Sequence, residues 1–323
     1  MSFFKNVIVY RIESSWSATL EQAELALDAH RFTPCGATQE KSAGWIEPRG
    51  QANGALVEAV GGHWLLEFMI EAKAVPASVI RRKVDERCAQ IEATTGRKPG
   101  KKEKRDLKED IAHELLPMAF TRQAKVTVWI DPESRRLVIN SSNVSRADEV
   151  VTALVNAFEG FAVAQISTTV EPAAAMSNWL STQEPPAGFT IDRECELKAS
   201  DESKSVVRYA KHALDIDEVR QHIEQGKRPT RLAMTWDDRV SFELTEGMTL
   251  RKIVFLEGTD STSAIKDGKE DNFDADAAIA TGELGQLVPD LLEALGGEMA
   301  LGVAAPVERA DAPSEAETED APF

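Results

Sequence analysis

The chain has 323 residues, of which 42% are hydrophobic and 28% charged. That is an ordinary globular composition, and it excludes wholesale disorder and a fibrous repeat. Acids outnumber bases 54 to 37, for a formal charge of −17, which excludes a protein that binds nucleic acid over its whole surface; any polyanion site must be local.

At roughly 150 residues per domain the length suggests about two domains. No apolar run approaches the roughly 18 residues that a bilayer demands. Lys5 and Asn6 precede a short Val-Ile-Val run without a small-residue cleavage site, so a soluble cytosolic protein is expected. The cysteines, Cys35, Cys88 and Cys195, are odd in number and far apart. They suit neither a disulfide framework nor a Cys-x-x-Cys site, and buried free thiols are expected.

In chain order, Phe3 to Ile12 alternates and is rich in β-branched and aromatic residues, which predicts a strand. A helix fits Thr19 to His30, with Ser17 as N-cap and Leu20, Ala23 and Leu27 on one face. A strand is predicted at His63 to Ala72, and a hairpin at Lys125 to Ile130 and Arg135 to Asn140 around Asp131-Pro-Glu-Ser134. Ser145 and Asp148 cap a predicted helix whose core face is Val151, Leu154, Val155 and Phe158.

Between those strands, Val79, Ile80, Val84, Cys88 and Ile91 recur at helical spacing, as do Leu107, Ile111 and Leu115, and Thr94 to Gly100 breaks the pattern. Two antiparallel helices joined by a Gly/Pro turn follow. Their apolar stripes are narrow, which suits helices that lean on each other and project from the body. The second half opens after Glu184 to Gly188 with a short helix at Asp217 to Gln225 ended by Gly226. A hairpin of Arg239 to Leu244 with Thr249 to Leu256 and a leucine-rich helix at Gly282 to Leu295 follow.

The expected fold class is α+β, of mixed sheets with helices and a projecting helical hairpin. The chain divides into an N-terminal α+β domain over 1–75 and 121–184, a basic helical finger over 76–120, a C-terminal α+β domain over 185–302 and a disordered acidic tail over 303–323. From Ala304 onward six acids face Arg309 alone.

No phosphate-cradling Gly-rich loop occurs. His113-Glu-Leu-Leu-Pro117 has proline where a zinc protease needs its second histidine. Ser263-Ala-Ile-Lys266 lacks the elements that would activate a serine. Asp271 to Asp276 lacks the glycine and closing glutamate of a calcium loop, and is expected to be a solvated acidic loop. With five scattered histidines, the chain is expected to be no enzyme and to need neither metal nor cofactor.

Arg81 to Lys108 breaks the acidic background. Eleven bases (Arg81, Arg82, Lys83, Arg87, Arg97, Lys98, Lys101, Lys102, Lys104, Arg105, Lys108) stand against five acids, for +6 locally and −23 over the remainder. Such segregation suits phosphate neutralisation with counterion release, and equally a merely solvated hairpin. A weaker set comprises Lys204, Arg208 and Lys211 with Lys227, Arg228 and Arg231. No zinc finger, recognition helix or aromatic RNA-binding signature accompanies them, so contacts would go to phosphates, with little sequence preference.

Phe3-Phe-Lys-Asn6, Phe32-Thr-Pro-Cys-Gly36, Gly44-Trp-Ile46, Leu115-Leu-Pro-Met-Ala-Phe120, Trp129-Ile-Asp131, His222 to Lys227, Phe273 to Asp276, Thr281 to Leu284 and Leu295 to Glu298 keep their order along the chain. Together they resemble the bacterial recombination-associated RdgC family, over about residues 1 to 298. The resemblance implies a nucleoid-associated homodimer that closes as a ring around duplex DNA without sequence specificity and restrains RecA-promoted strand exchange. Double-stranded DNA and a second copy of the chain are then the expected partners, with single-stranded DNA a further candidate and no membrane.

The resemblance nominates Phe120 for a subunit contact, against an ordinary core phenylalanine. It also matches the Arg208 to Lys211 region to a stretch facing DNA, although His212 stands where that stretch carries glutamine. The DNA-binding candidates are thus Arg81, Arg82, Arg97, Lys98, Lys101, Lys102, Lys104, Arg105, Arg208, Lys211, Lys227 and Arg228. The acidic tail goes beyond the family pattern. The alternative is a protein-binding regulator that docks directly on RecA or another repair factor through its acidic surfaces.

Overall fold

The computed structural model describes residues 3–256 and 269–299. The Ser263 to Lys266 motif and the tail over 303–323 lie outside the described residues. The strands are β1 (Val7–Ile12), β2 (Lys41–Ile46), β3 (Glu58–Val60), β4 (His63–Lys73), β5 (Thr121–Asp131), β6 (Arg136–Ile139), β7 (Val163–Gln165), β8 (Phe189–Ala199), β9 (Val206–Tyr209), β10 (Lys227–Trp236), β11 (Val240–Thr245) and β12 (Thr249–Phe255). The helices are α1 (Leu20–Asp28), α2 (Ala77–Thr95), α3 (Lys101–Leu115), α4 (Val144–Ala157), α5 (Pro172–Thr182), α6 (Asp217–Glu224) and α7 (Lys269–Ala294).

The fold is α+β, but in place of mixed sheets all twelve strands join one antiparallel sheet of order β2-β4-β5-β6-β1-β12-β11-β10-β8-β9, with β3 on β4 and β7 on β1. The join between the two halves is β1 against β12, Val7 opposite Leu250. The expected boundary after residue 184 therefore falls within a continuous sheet.

Strand alternation sends side chains to two cores. Val7 and Val9 enter one cluster with Leu65, Trp129, Leu232, Met234, Phe242 and the buried faces of α5 and α7. Ile8, Tyr10 and Ile12 enter the other, with Trp45, Leu66, Val128 and the buried faces of α1 and α4. β1 is buried on both sides over Val7 to Tyr10, which explains the apolar run there. In the first half helices α1 and α4 cover one face. In the second half α5, α6 and α7 pack against the apolar face formed by Leu232, Met234 and Trp236.

Several local expectations shift. Thr19, not Ser17, caps α1: its hydroxyl accepts from Gln22 N (3.2 Å) and its N–H donates to Gln22 Oε1 (2.9 Å), a capping box. Ala23 and Leu27 are buried as expected, but Leu20 is partly exposed. Asn143 caps α4 through Arg146 N (3.3 Å), ahead of Ser145, and the buried face is Ala147, Val150 and Leu154, with Val155 exposed. The acidic stretch Asp271 to Asp276 is no loop but the start of α7, which runs on through Gly282. All three thiols are free; Cys195 is buried, and burial pushes its thiol up to about 12, whereas Cys35 and Cys88 are only half-buried.

Candidate nucleic-acid interface

The basic segment folds as α2 and α3, about 28 and 22 Å long at 1.5 Å per residue. α2 stops at Gly96, whose φ of 72° permits the left-handed cap and whose N–H donates to Glu92 O (2.8 Å). Arg97 to Gly100 turns the chain, and Glu103 accepts from Gly100 N (3.4 Å) at the start of α3. Lys83 and Arg87, early on α2, each lie 3.7 Å from Glu114, late on α3, so the helices run antiparallel.

Within the helices, full apolar burial is confined to the root, while Val84, Cys88, Ile91 and Leu107 are half-buried along them. α2 buries no residue fully, and α3 buries Ile111 and Leu115 near its C-terminal end. The outer turns are mostly solvated, with Pro99 buried and Ile91 and Glu103 half-buried.

The cations of this segment divide in two. Arg97 pairs with Glu103 (2.8 Å), Lys98 with Glu92 (3.7 Å), Arg105 with Glu109 (3.6 Å) and Arg82 with Glu86 (3.8 Å). The Arg97 guanidinium holds the Glu103 carboxyl below the usual carboxylate range. Arg81, Lys101, Lys102, Lys104 and Lys108 are exposed and make no ion pair among the described residues. Lys101, Lys104 and Lys108 follow at three- and four-residue steps and so share one face of α3. Lys101, Lys102 and Lys104 also stand in the first turns, where the helix dipole favours acids and disfavours cations by roughly 0.3–1 kcal/mol each. Helix stability does not account for them.

The second basic set is engaged in separate places. Arg208 hydrogen-bonds Glu196 on β8. Lys227 lies half-buried with Nζ 3.2 Å from His222 Nδ1, and Arg228 pairs with Glu171 at the start of α5 (2.8 Å). Lys211 is exposed at φ 55° and makes no ion pair among the described residues.

Phe120 follows the single 3-10 turn Leu116–Met118 and is 89% exposed, with Met118 exposed beside it. The ordinary core reading of Phe120 is thereby overturned. Leu115 and Leu116 are the buried members of that motif.

Local charge density alone passes over the face of the second half of the sheet that lies opposite the cluster of α5 and α7. There Arg231, Lys252, Glu194, Glu196 and Glu243 form ion pairs, with Lys252 Nζ 3.0 Å from Glu194 and 2.9 Å from Glu243. The signal was available: Asp192, Glu194, Glu196 and Lys198 occupy every second position of β8. No group of three or more His, Cys, Asp or Glu side chains placed to hold a metal occurs among the described residues, and no helix there is long and apolar enough to cross a membrane.

A sequence model of the family described as "Putative exonuclease, RdgC" matches residues 2–298. The recombination-associated protein RdgC of Cupriavidus pinatubonensis is 42% identical over 300 residues, covering 92% of this chain and 99% of the relative. Those of Dechloromonas aromatica and Herminiimonas arsenicoxydans are 39% identical over 301 residues and 40% over 302, again covering 92% of this chain. The order of the motifs, the reach of the match and these identities agree: the chain belongs to the RdgC family of recombination-associated proteins.

Proposed function

We propose that the chain is a non-enzymatic, nucleoid-associated DNA-binding protein that closes as a dimeric ring around duplex DNA, without sequence specificity, and modulates RecA-dependent recombination. The observation that carries this reading is the row of unpaired cations on α3, placed at a solvated tip and against the helix dipole. Phosphate supplies the counter-charge that such a row lacks among the described residues. Exposed Phe120 supports the closing contact, because a lone aromatic in water gains most by entering a partner's pocket. A ring reconciles a −17 chain with DNA, since bases can line the hole while acids face outward.

Gel shifts with unrelated duplexes at low salt test the binding: similar affinities are expected, and no shift would sink the reading. Retention on closed circles with release on linearisation tests encirclement. Binding to RecA without DNA, in the absence of duplex binding, would instead favour the protein-docking regulator. Shortening of a linear duplex in the presence of magnesium would overturn the non-enzymatic part and support the exonuclease of the family description.

A further inference from the structure

Among the described residues the outer face of α3 carries cations without acids. Lys101, Lys102, Lys104 and Lys108 are exposed and enter no ion pair there, whereas Arg97 and Arg105 beside them are already engaged by Glu103 and Glu109. At 1.5 Å per residue, Lys101, Lys104 and Lys108 follow one another at about 4.5 and 6 Å along one helix face. Such a face calls for an anion, and the chain carries one of its own.

From Ala304 to Phe323 the sequence holds Glu308, Asp311, Glu315, Glu317, Glu319 and Asp320 against Arg309. The last four acids concentrate the charge: Glu315, Glu317 and Glu319 alternate, Asp320 follows, and no base stands among them. In an extended chain a two-residue repeat is roughly 6.6 Å, close to the spacing of the lysines. The segment lies beyond residue 298, where the family match ends, so the shared fold does not account for it.

The described residues fix where this segment departs. Arg11 Nε donates to Glu298 Oε1 (2.8 Å), and Met299 N donates to Ser167 O (2.9 Å). Arg11 lies opposite Arg136 and Arg136 opposite Asp131, so the chain leaves at the Asp131 end of β5, whereas the finger springs from the Thr121 end. The length of β5 separates the two points by about 33 Å. With about 22 Å more for α3, Lys101 lies within roughly 65 Å of Met299 at any tilt of the finger. An extended chain spans roughly 53 Å from Met299 to Glu315 and roughly 70 Å to Asp320. The last four acids therefore reach α3, Glu315 at the nearer Lys108 and Asp320 at the outer Lys101.

We propose that residues 315–320 dock on the Lys101, Lys104 and Lys108 face of α3 when no nucleic acid is bound, so that duplex phosphates must displace the chain's own carboxylates. The contact stands on charge and reach; its masking of the face rests on the duplex-binding reading above. A tethered anion acts at an effective concentration of roughly millimolar, enough to occupy a weak site. Its pairs with the lysines are solvated and screened by salt, so a polyanion of higher charge density lifts the cover.

Carbodiimide cross-linking of the full-length chain without DNA tests the contact, because the reagent joins a carboxylate to an ammonium only where the two touch. The exposed pair Lys41–Glu149 (2.7 Å) is the internal standard. Links from Glu315, Glu317, Glu319 or Asp320 to Lys101, Lys102, Lys104 or Lys108 are expected, and should fade at about 0.5 M salt. Formation of the standard without these links, or links chiefly to lysines elsewhere, overturns the proposal. Duplex titration at low salt reads the masking. Full-length Glu315→Gln/Glu317→Gln/Glu319→Gln/Asp320→Asn should bind about tenfold more tightly than the parent, the factor for a millimolar tether over a roughly 0.1 mM contact. Glu21→Gln/Glu133→Gln/Glu159→Gln/Glu202→Gln, which removes the same charge from other exposed positions, should gain much less. Alanine at Lys101, Lys104 and Lys108 should abolish the advantage of the first variant over the parent. Equal gains in the two variants, or a gain that survives the lysine replacements, overturn the masking. If the parent binds no duplex, the duplex-binding reading fails and the cross-links alone decide the contact.

Discussion

The finger and the sheet face carry the same kind of charge on opposite kinds of scaffold. In α2 and α3 the acids that pair with Arg97, Lys98 and Arg105 are themselves solvent-facing, and Lys101, Lys102 and Lys104 pair with no acid among the described residues. Exposed pairs of this sort contribute only about 0–1 kcal/mol, so they orient little. On β8 to β12 Glu243 is buried, Glu196 is largely covered and Glu194 is 40% exposed; Lys252 bridges Glu194 and Glu243, and Arg208 hydrogen-bonds Glu196. The difference teaches that a net charge does not describe a polyanion site. A solvated tip can follow a phosphate wherever it lies, whereas a supported cation presents one geometry and demands that the ligand match it.

The largest expected break of this comparison is the triple replacement of Lys101, Lys102 and Lys104 by alanine. With about 0.9 per phosphate contact, the salt slope should fall by up to about 3 per subunit, and affinity should drop alike for every duplex sequence. Thermal melting should move little, because surface substitutions usually change stability by under about 0.5 kcal/mol. Titrations between low and moderate salt check the slope. An unchanged slope would reduce the finger to a solvated hairpin and make Arg208, Lys211, Lys227 and Arg228 the better candidates.

Next in size is Phe120, at the root of the finger and neither cationic nor buried. If it anchors a subunit contact, Phe120→Ala should weaken dimerisation by about 2 kcal/mol, roughly thirtyfold. Monomer melting should stay the same, because an exposed ring leaves no cavity when removed. Sedimentation across a concentration series reads the dimer constant. Intact dimers would detach Phe120 from closure, and the finger would then serve DNA alone.

What was legible in the sequence follows the same division. The finger could be read because its signals are local: two narrow stripes at helical spacing, a Gly/Pro break and a run of cations. The buried Ile111 and Leu115 fall on the stripe so predicted. The sheet face showed locally only the alternating charges of β8, Asp192, Glu194, Glu196 and Lys198, and none of their partners. Its ion pairs join β8, β10, β11 and β12 across up to 58 positions, as between Glu194 and Lys252, and the β1–β12 seam is longer-range still. β10, with Pro229 near its start, was not among the predicted strands, because proline rarely sits inside one; here it marks a register shift in the β8–β10 pairing. The acidic start of α7 was misread from composition. Its Asp274 is paired with Arg49 (2.6 Å), and Phe273 packs edge-on against Phe3, so tertiary partners carry a helix that propensity alone would not. On α4 Leu154 and Phe158 are buried and Val151 is half-buried, as predicted, while Ala147 and Val150 join that face and Val155 leaves it.

The smallest expected effect sharpens the comparison most, because removal of one acid should have opposite consequences on the two scaffolds. In the finger, Glu103 neutralises Arg97 through two hydrogen bonds, 2.8 and 3.2 Å, and Gly100 N also donates to it (3.4 Å). Glu103→Gln keeps an oxygen for Gly100 but releases Arg97, so duplex affinity should rise by about twofold, the scale of an exposed pair. On the sheet, Glu196→Gln removes the charged bonds that hold Arg208 and should lower affinity despite the loss of a negative charge. The pH dependence fixes the cause in the finger. Arg97 lowers the Glu103 value, so the pair's contribution is complete above the ordinary carboxylate range and disappears as pH falls through the lowered value. The gain from Glu103→Gln should therefore be full at neutral pH and vanish in acid, where the parent's Glu103 is itself protonated. Duplex titrations of parent and variant at neutral and acid pH check this. A gain that persists in acid would assign the effect to helix packing, and equal signs for Glu103→Gln and Glu196→Gln would erase the distinction between a tip that adapts and a sheet that positions.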